Sequence, residues 1–116
     1  MATLKMTDKE VNGVAVLALD GRIVLGEASH SLREKLQELL AEGKRKIVLN
    51  MADINFIDSA GLGTLMAAHD SATNHGSSVL RLCQLSKHFQ EVMEVTKIKT
   101  VFDVYDTEAE AVSSFC

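Results

Sequence analysis

Asn55-Phe56-Ile57-Asp58-Ser59-Ala60-Gly61-Leu62-Gly63 is the stretch on which the reading of the fold turns. It follows a strand-like apolar run, Ile47-Val48-Leu49-Asn50-Met51, and opens a helical pattern from about Ala60 to Asn74. Asp58 and Ser59 therefore stand at a helix start, where backbone N–H groups lack intrahelical acceptors and the macrodipole is positive. A serine oxygen there is expected to cap the helix, and the same geometry receives a phosphate. Gly61 and Gly63 lack side chains, so another backbone or a partner surface can approach the first turn.

Upstream of that stretch, Thr3-Leu4-Lys5-Met6 reads as a weak edge strand, and Asn12-Gly13 is the strongest hairpin signal in the chain. Val14-Ala15-Val16-Leu17-Ala18-Leu19 is apolar on both faces, as in a central covered strand. Asp20-Gly21 is expected to break it, with Arg22-Ile23-Val24-Leu25-Gly26 leading into a first helix. Leu32, Leu36, Leu39 and Leu40 recur there at helical spacing, and Gly43 stops the helix as a C′ residue.

Downstream, Leu62, Leu65, Met66, His69 and Thr73 share one face of the second helix, which Gly76 ends. Val79-Leu80-Arg81-Leu82-Cys83 reads as a strand, and Ser86 as the cap of a short helix with Phe89 and Met93 facing inward. Val101-Phe102-Asp103-Val104-Tyr105 is a fifth strand. Thr107-Glu108-Ala109-Glu110 is a capping box that opens a last helix, packed down by Ala111, Val112 and Phe115. Strands alternating with helices in this order imply an α/β fold whose sheet is mostly parallel.

Several function classes are excluded by what the chain holds. With 116 residues it has the length of one domain. A net charge of −4 opposes nonspecific nucleic-acid binding, and Lys44-Arg45-Lys46 reads as a solvated turn. The first ten residues do not form a signal peptide and no apolar run spans a membrane, so the expected location is cytoplasmic. Cys83 and Cys116 make no disulfide framework; Cys83 is expected to be a buried small hydrophobe and Cys116 a reduced terminus. Ile57 and Gly61 break the Gly-x-Ser-x-Gly pattern of a nucleophile elbow, and His30, His69, His75 and His88 are scattered. Met66 stands where a dinucleotide fingerprint needs its third glycine, and no zinc-site spacing occurs.

Phe56-Ile57-Asp58-Ser59-Ala60-Gly61-Leu62-Gly63 resembles the Asp-Ser-Ser/Thr-Gly-Leu-Gly signature of bacterial anti-sigma-factor antagonists, founding members of the STAS domain family. The order of elements matches that family too, so the resemblance covers nearly the whole chain. It implies a single STAS domain over residues 1–116, with a mostly parallel, mixed five-stranded sheet and about four helices. It implies a regulator and not an enzyme. The serine after the aspartate, here Ser59, would be the phosphorylation site. Asp58, Ser59, Ala60, Gly61, Leu62, Gly63 and Met66 would form the partner-binding surface, with Leu62 and Met66 exposed.

By the same resemblance, the partner is an anti-sigma factor that is also a serine protein kinase, and a serine phosphatase resets the switch. ATP belongs to the kinase, so no cofactor is expected, and the isolated protein should be a monomer. Two departures stand out. Ala60 replaces the family's second hydroxyl residue, and Gly21-Arg22-Ile23-Val24 stands where Gly-Glu-Leu/Ile-Asp is common. Alternative readings are a non-switching STAS scaffold and a ligand-sensing module at the helix start.

Overall fold

Asn12 and Gly13 both take left-handed backbone angles, φ 51° and 81°, as the tightest hairpin turn requires. They join β1 (Leu4–Val11) to β2 (Val14–Ile23) in antiparallel register, with Val11 opposite Val14. The computed structural model describes residues 4–24, 26–74, 79–95 and 103–115. Readings that fell on Thr3, Leu25, His75, Gly76, Val101, Phe102 and Cys116 lie outside these residues, as do those on the side chains of Thr73, His88 and Val92, the last expected to face inward with Phe89 and Met93.

From β2 onward each strand pairs in parallel with the next: β3 (Lys46–Ile57), β4 (Val79–Cys83) and β5 (Asp103–Tyr105). The sheet has five strands in the order β1-β2-β3-β4-β5, so the mixed α/β architecture expected from the sequence is the one observed. Val16 and Val48 are fully buried at the centre of the sheet, as their doubly apolar strands require. Because the spatial order never reverses, the described sheet has no topological switch point, the place where open α/β sheets form a nucleotide crevice.

Helices α1 (Glu27–Ala41), α2 (Ser59–Asn74) and α3 (Lys87–Val95) share the larger core, to which Leu32, Leu36, Leu39, Leu62, Leu65, Phe89 and Met93 contribute. A smaller core, including Val14, Val16, Val48 and Cys83, is closed by α4 (Glu108–Ser113) through Ala111 and Val112. Burial pushes the Cys83 thiol up to about 12, with a smaller contribution from the Glu108 carboxylate. Among the described residues no helix is long and apolar enough to cross a membrane.

Three helix ends follow their sequence signals. Gly43, at φ 83°, lets its N–H reach Leu40 O and the Lys44 N–H reach Leu39 O, the paired bonds of a Schellman motif. Thr107 Oγ1 accepts from the Glu110 N–H at 3.1 Å, and Ser86 Oγ accepts from the Phe89 N–H at 3.1 Å. Glu108 then ties α4 to the sheet through the Asn50 amide and Lys9, each at 3.0 Å.

β1, read as ending at Met6, continues to Val11 along its antiparallel pairing with β2; the ends of β2 and β3 also differ from the sequence reading, both for one reason. Asp20-Gly21 does not end β2, and β3 does not stop at Met51. Between Ala18 and Asp20, and again between Gly21 and Arg22, the register shifts by one extra β3 residue. These bulges absorb the strand-breaking residues and let both strands continue to Ile23 and Ile57. β4 stops pairing at Cys83, opposite Asn50, so the last part of β3 is held by β2 alone. That extension carries the Asp58 turn to the rim of the sheet.

Candidate functional site

Asp58, not Ser59, caps α2. Its Oδ1 accepts from the Gly61 N–H at 2.8 Å, its carbonyl accepts from the Leu62 N–H at 3.0 Å, and its own N–H donates to Ile23 O at 3.2 Å. The extended β3 moves the helix start back by one residue, so Ser59 is already in the first turn. Aspartate suits the capping position well, since it offers both an acceptor oxygen and a charge that complements the macrodipole. Ser59 is therefore released from the capping role that its position in the sequence predicted. It is exposed, and its hydroxyl makes no hydrogen bond among the described residues.

The two glycines do different jobs. A Cβ on Gly61 would lie 2.2 Å from Ile23 O and within 3 Å of the Ile23 and Ile57 side chains, so only a hydrogen fits there. A Cβ on Gly63 would meet nothing within 4 Å. Gly61 thus presses the first turn of α2 onto the β2 end, whereas Gly63 faces solvent.

The remaining predicted residues divide between the same two sides. Leu62 is 8% exposed and belongs to the core, against the expectation that it faces solvent; the Gly61 contact turns its side of the helix inward. Met66 is 36% exposed, as expected. Ala60 is half-buried, and Thr64 is buried with its hydroxyl donating to Ala60 O at 3.0 Å. Ser59, Gly63 and Met66, spaced four and three residues apart, share one outward stripe.

Two residues that the sequence reading did not select stand on the same rim. Arg22 and Phe56 are register partners near the ends of β2 and β3, and the guanidinium carbon lies 5.2 Å from the ring centroid. Phe56 is 42% exposed. Their signal was hidden because a sequence without the bulges gives no means of pairing Arg22 with Phe56. Beside the first turn of α2 a shallow groove runs towards α1, lined at this end by Gly26, His30, Arg33 and Ala60.

The site presents an exposed hydroxyl at a helix start. His69 lies about 15 Å along the helix axis from Ser59 at ordinary helical rise, and the His30 Nε2 meets Glu34 at 2.8 Å. Among the described residues no group of three His, Cys, Asp or Glu side chains gathers to hold a metal.

The sequence profile of the STAS domain matches residues 5–111 of the chain. BtrV of Bordetella bronchiseptica, a candidate anti-sigma factor antagonist, is 28% identical over 113 residues, spanning 97% of this chain and 95% of BtrV. The crystal structure of a candidate anti-sigma factor antagonist from Thermotoga maritima has a TM-score of 0.81 at 24% identity, covering 94% of this chain and 92% of that one. The Bacillus cell fate determinant SpoIIAA, in its phosphorylated form, gives 0.74 at 19% identity, covering 97% and 100%. At these identities the structural likeness establishes the fold.

Proposed function

This chain belongs to the STAS domain family, and we propose that it acts as an anti-sigma factor antagonist whose binding is switched at Ser59. Its unmodified form binds an anti-sigma factor that is also a serine kinase, through the Ser59, Gly63 and Met66 stripe, and so frees the sigma factor. The kinase transfers the γ-phosphoryl group of its ATP to the Ser59 oxygen, and the complex dissociates. A serine phosphatase restores the hydroxyl. The chain is the substrate and the switch in this cycle, and contributes no catalysis.

The observation that carries this reading is the division of labour at the turn. Asp58 holds the helix start, so the Ser59 hydroxyl is exposed and has no hydrogen-bond partner among the described residues. A phosphate there adds about −1.5 to −2 charges at neutral pH. The fold tolerates it, because the N–H groups of Ser59 and Ala60 lie outside the helix ladder and favour an anion. A partner does not tolerate it so readily. Acidic groups on the partner's surface repel the new charge, and each unit like-charge pair at about 6 Å across the interface costs roughly 1–3 kcal/mol. Two such pairs weaken binding by about thirty- to twenty-thousand-fold.

The test is to incubate the protein with its anti-sigma factor kinase and ATP and to measure intact mass and binding. Wild type should gain one phosphate and lose affinity, while Ser59→Ala should gain none and stay bound. Full modification of Ser59→Ala, or a map that places the phosphate on Thr64 or Ser71, refutes the assignment. A kinase complex that forms without any modification would instead make the chain a scaffold.

A further inference from the structure

Arg22 and Phe56 form an exposed pair at the rim that carries the Asp58 turn. The strand ends connect them directly: Ile23, next to Arg22, accepts the Asp58 N–H through its carbonyl, and the same carbonyl faces Gly61. Phe56 lies two residues before Asp58, about 7 Å along an extended strand. The pair therefore stands on the same rim of the sheet as the Asp58 turn.

Its chemistry is specific. A guanidinium stacked on an aromatic face is already ordered, and keeps its N–H edge free for a planar anion. No carboxylate of the described residues is ion-paired with Arg22, whereas Lys9, Lys35, Lys44 and Arg81 each meet one. An exposed aromatic ring carrying an ordered, uncompensated arginine has the composition of a binding hot spot.

We propose that Arg22 and Phe56 are a second contact point of the switch face and receive an acidic side chain, Asp or Glu, of the protein partner. The carboxylate takes two N–H groups of Arg22 in the bidentate manner, and its methylene stem lies against Phe56. This rests on the partner reading given above and adds the chemistry of the partner's surface to it. Where Ser59 decides whether the complex forms, Arg22 decides which partner can form it, because a basic surface at that point is repelled.

The test uses the full chain and each purified anti-sigma factor kinase encoded in the source genome, with affinity measured by titration. Arg22→Gln should bind the cognate kinase at least about tenfold more weakly, Arg22→Lys should fall between, and Arg22→Glu should lose the most. The loss should shrink in about 0.5 M salt as exposed charges are screened. A kinase variant with one surface Asp or Glu changed to Lys should restore binding to Arg22→Glu. Ser59→Asp runs alongside as the control for the parent reading. If Arg22→Glu and Phe56→Ala bind within twofold of wild type while Ser59→Asp weakens binding, the second contact point is refuted and the switch stands. If no kinase binds wild type, the parent reading fails and this inference with it. Melting curves guard against a folding defect: an Arg22→Glu loss matched by an equal loss of folded protein overturns the proposal. So does retention on heparin or RNA that depends on Arg22 when kinase affinity does not.

Discussion

The same substitution at two glycines of one helical turn should change stability in opposite directions. In Gly61→Ala the new methyl would sit 2.2 Å from Ile23 O, with two further side-chain atoms within 3 Å. Contact with a backbone carbonyl cannot be relieved by a rotamer change, so α2 must lift off the β2 end by most of an ångström. Overpacking of this kind costs about 1–3 kcal/mol, here towards the upper end. The lift also strains the 3.2 Å bond from Asp58 N–H to Ile23 O, worth about another 1 kcal/mol. Against this, alanine gains about 1 kcal/mol over glycine in a helix. The net is a loss of roughly 1–3 kcal/mol. In Gly63→Ala only the helix-propensity gain remains, because the methyl meets nothing within 4 Å. That variant should be about 0.5–1 kcal/mol more stable than wild type. Urea titrations of the three proteins read the difference directly, and melting points should move by about 3–6 °C per kcal/mol for a chain of this size. A Gly61→Ala protein as stable as wild type, or a destabilised Gly63→Ala, would refute the packing argument. If Gly63 lies under a partner, Gly63→Ala should also weaken kinase binding while it stabilises the fold, a combination that a purely structural glycine does not produce.

The capping assignment makes a paired prediction: Asp58→Ala should lose about 0.5–2 kcal/mol, whereas Ser59→Ala should stay within about 0.5 kcal/mol of wild type; urea midpoints in the reverse order would restore Ser59 as the cap. Acid stability should depend on Glu108, whose carboxyl is held below its ordinary value of 4.5 first by the Asn50 amide and then by Lys9. Its contribution is present above that value and is lost as pH falls through the lowered one. Glu108→Gln should therefore flatten the acid limb of a stability–pH curve, and unchanged slopes would sink the idea.

What was legible in the sequence follows the range of the interactions involved. Short-range signals read correctly: Asn12-Gly13 needs only its own backbone angles, and Gly43 and Thr107 act within one turn of their helices. The doubly apolar strands were legible because burial on two faces leaves no polar position free, as Val16 and Val48 show. The misreadings around the site trace to pairing between β2 and β3. Asp20-Gly21 reads as a break in isolation, yet a partner strand with extra residues carries the chain through. The identity of the cap, the inward turn of Leu62 and the Arg22–Phe56 pair all depend on that register. No window of residues along one strand contains it.

The register also explains how one turn can hold the fold and carry the proposed switch without compromise. Asp58 and Gly61 face the sheet and fix the helix start through Ile23. Ser59, Gly63 and Met66 face outward and make few demands on the fold. Inward residues set stability, so on the proposed reading a change on the outward side alters binding before it alters folding. A phosphate on Ser59 breaks no hydrogen bond seen in the structure, while its charge remains beside a fixed carboxylate. Had Ser59 been the cap, the modification would have had to remake the helix start, and binding and stability would have been coupled. The one-residue shift of the cap from Ser59 to Asp58 is what separates the two.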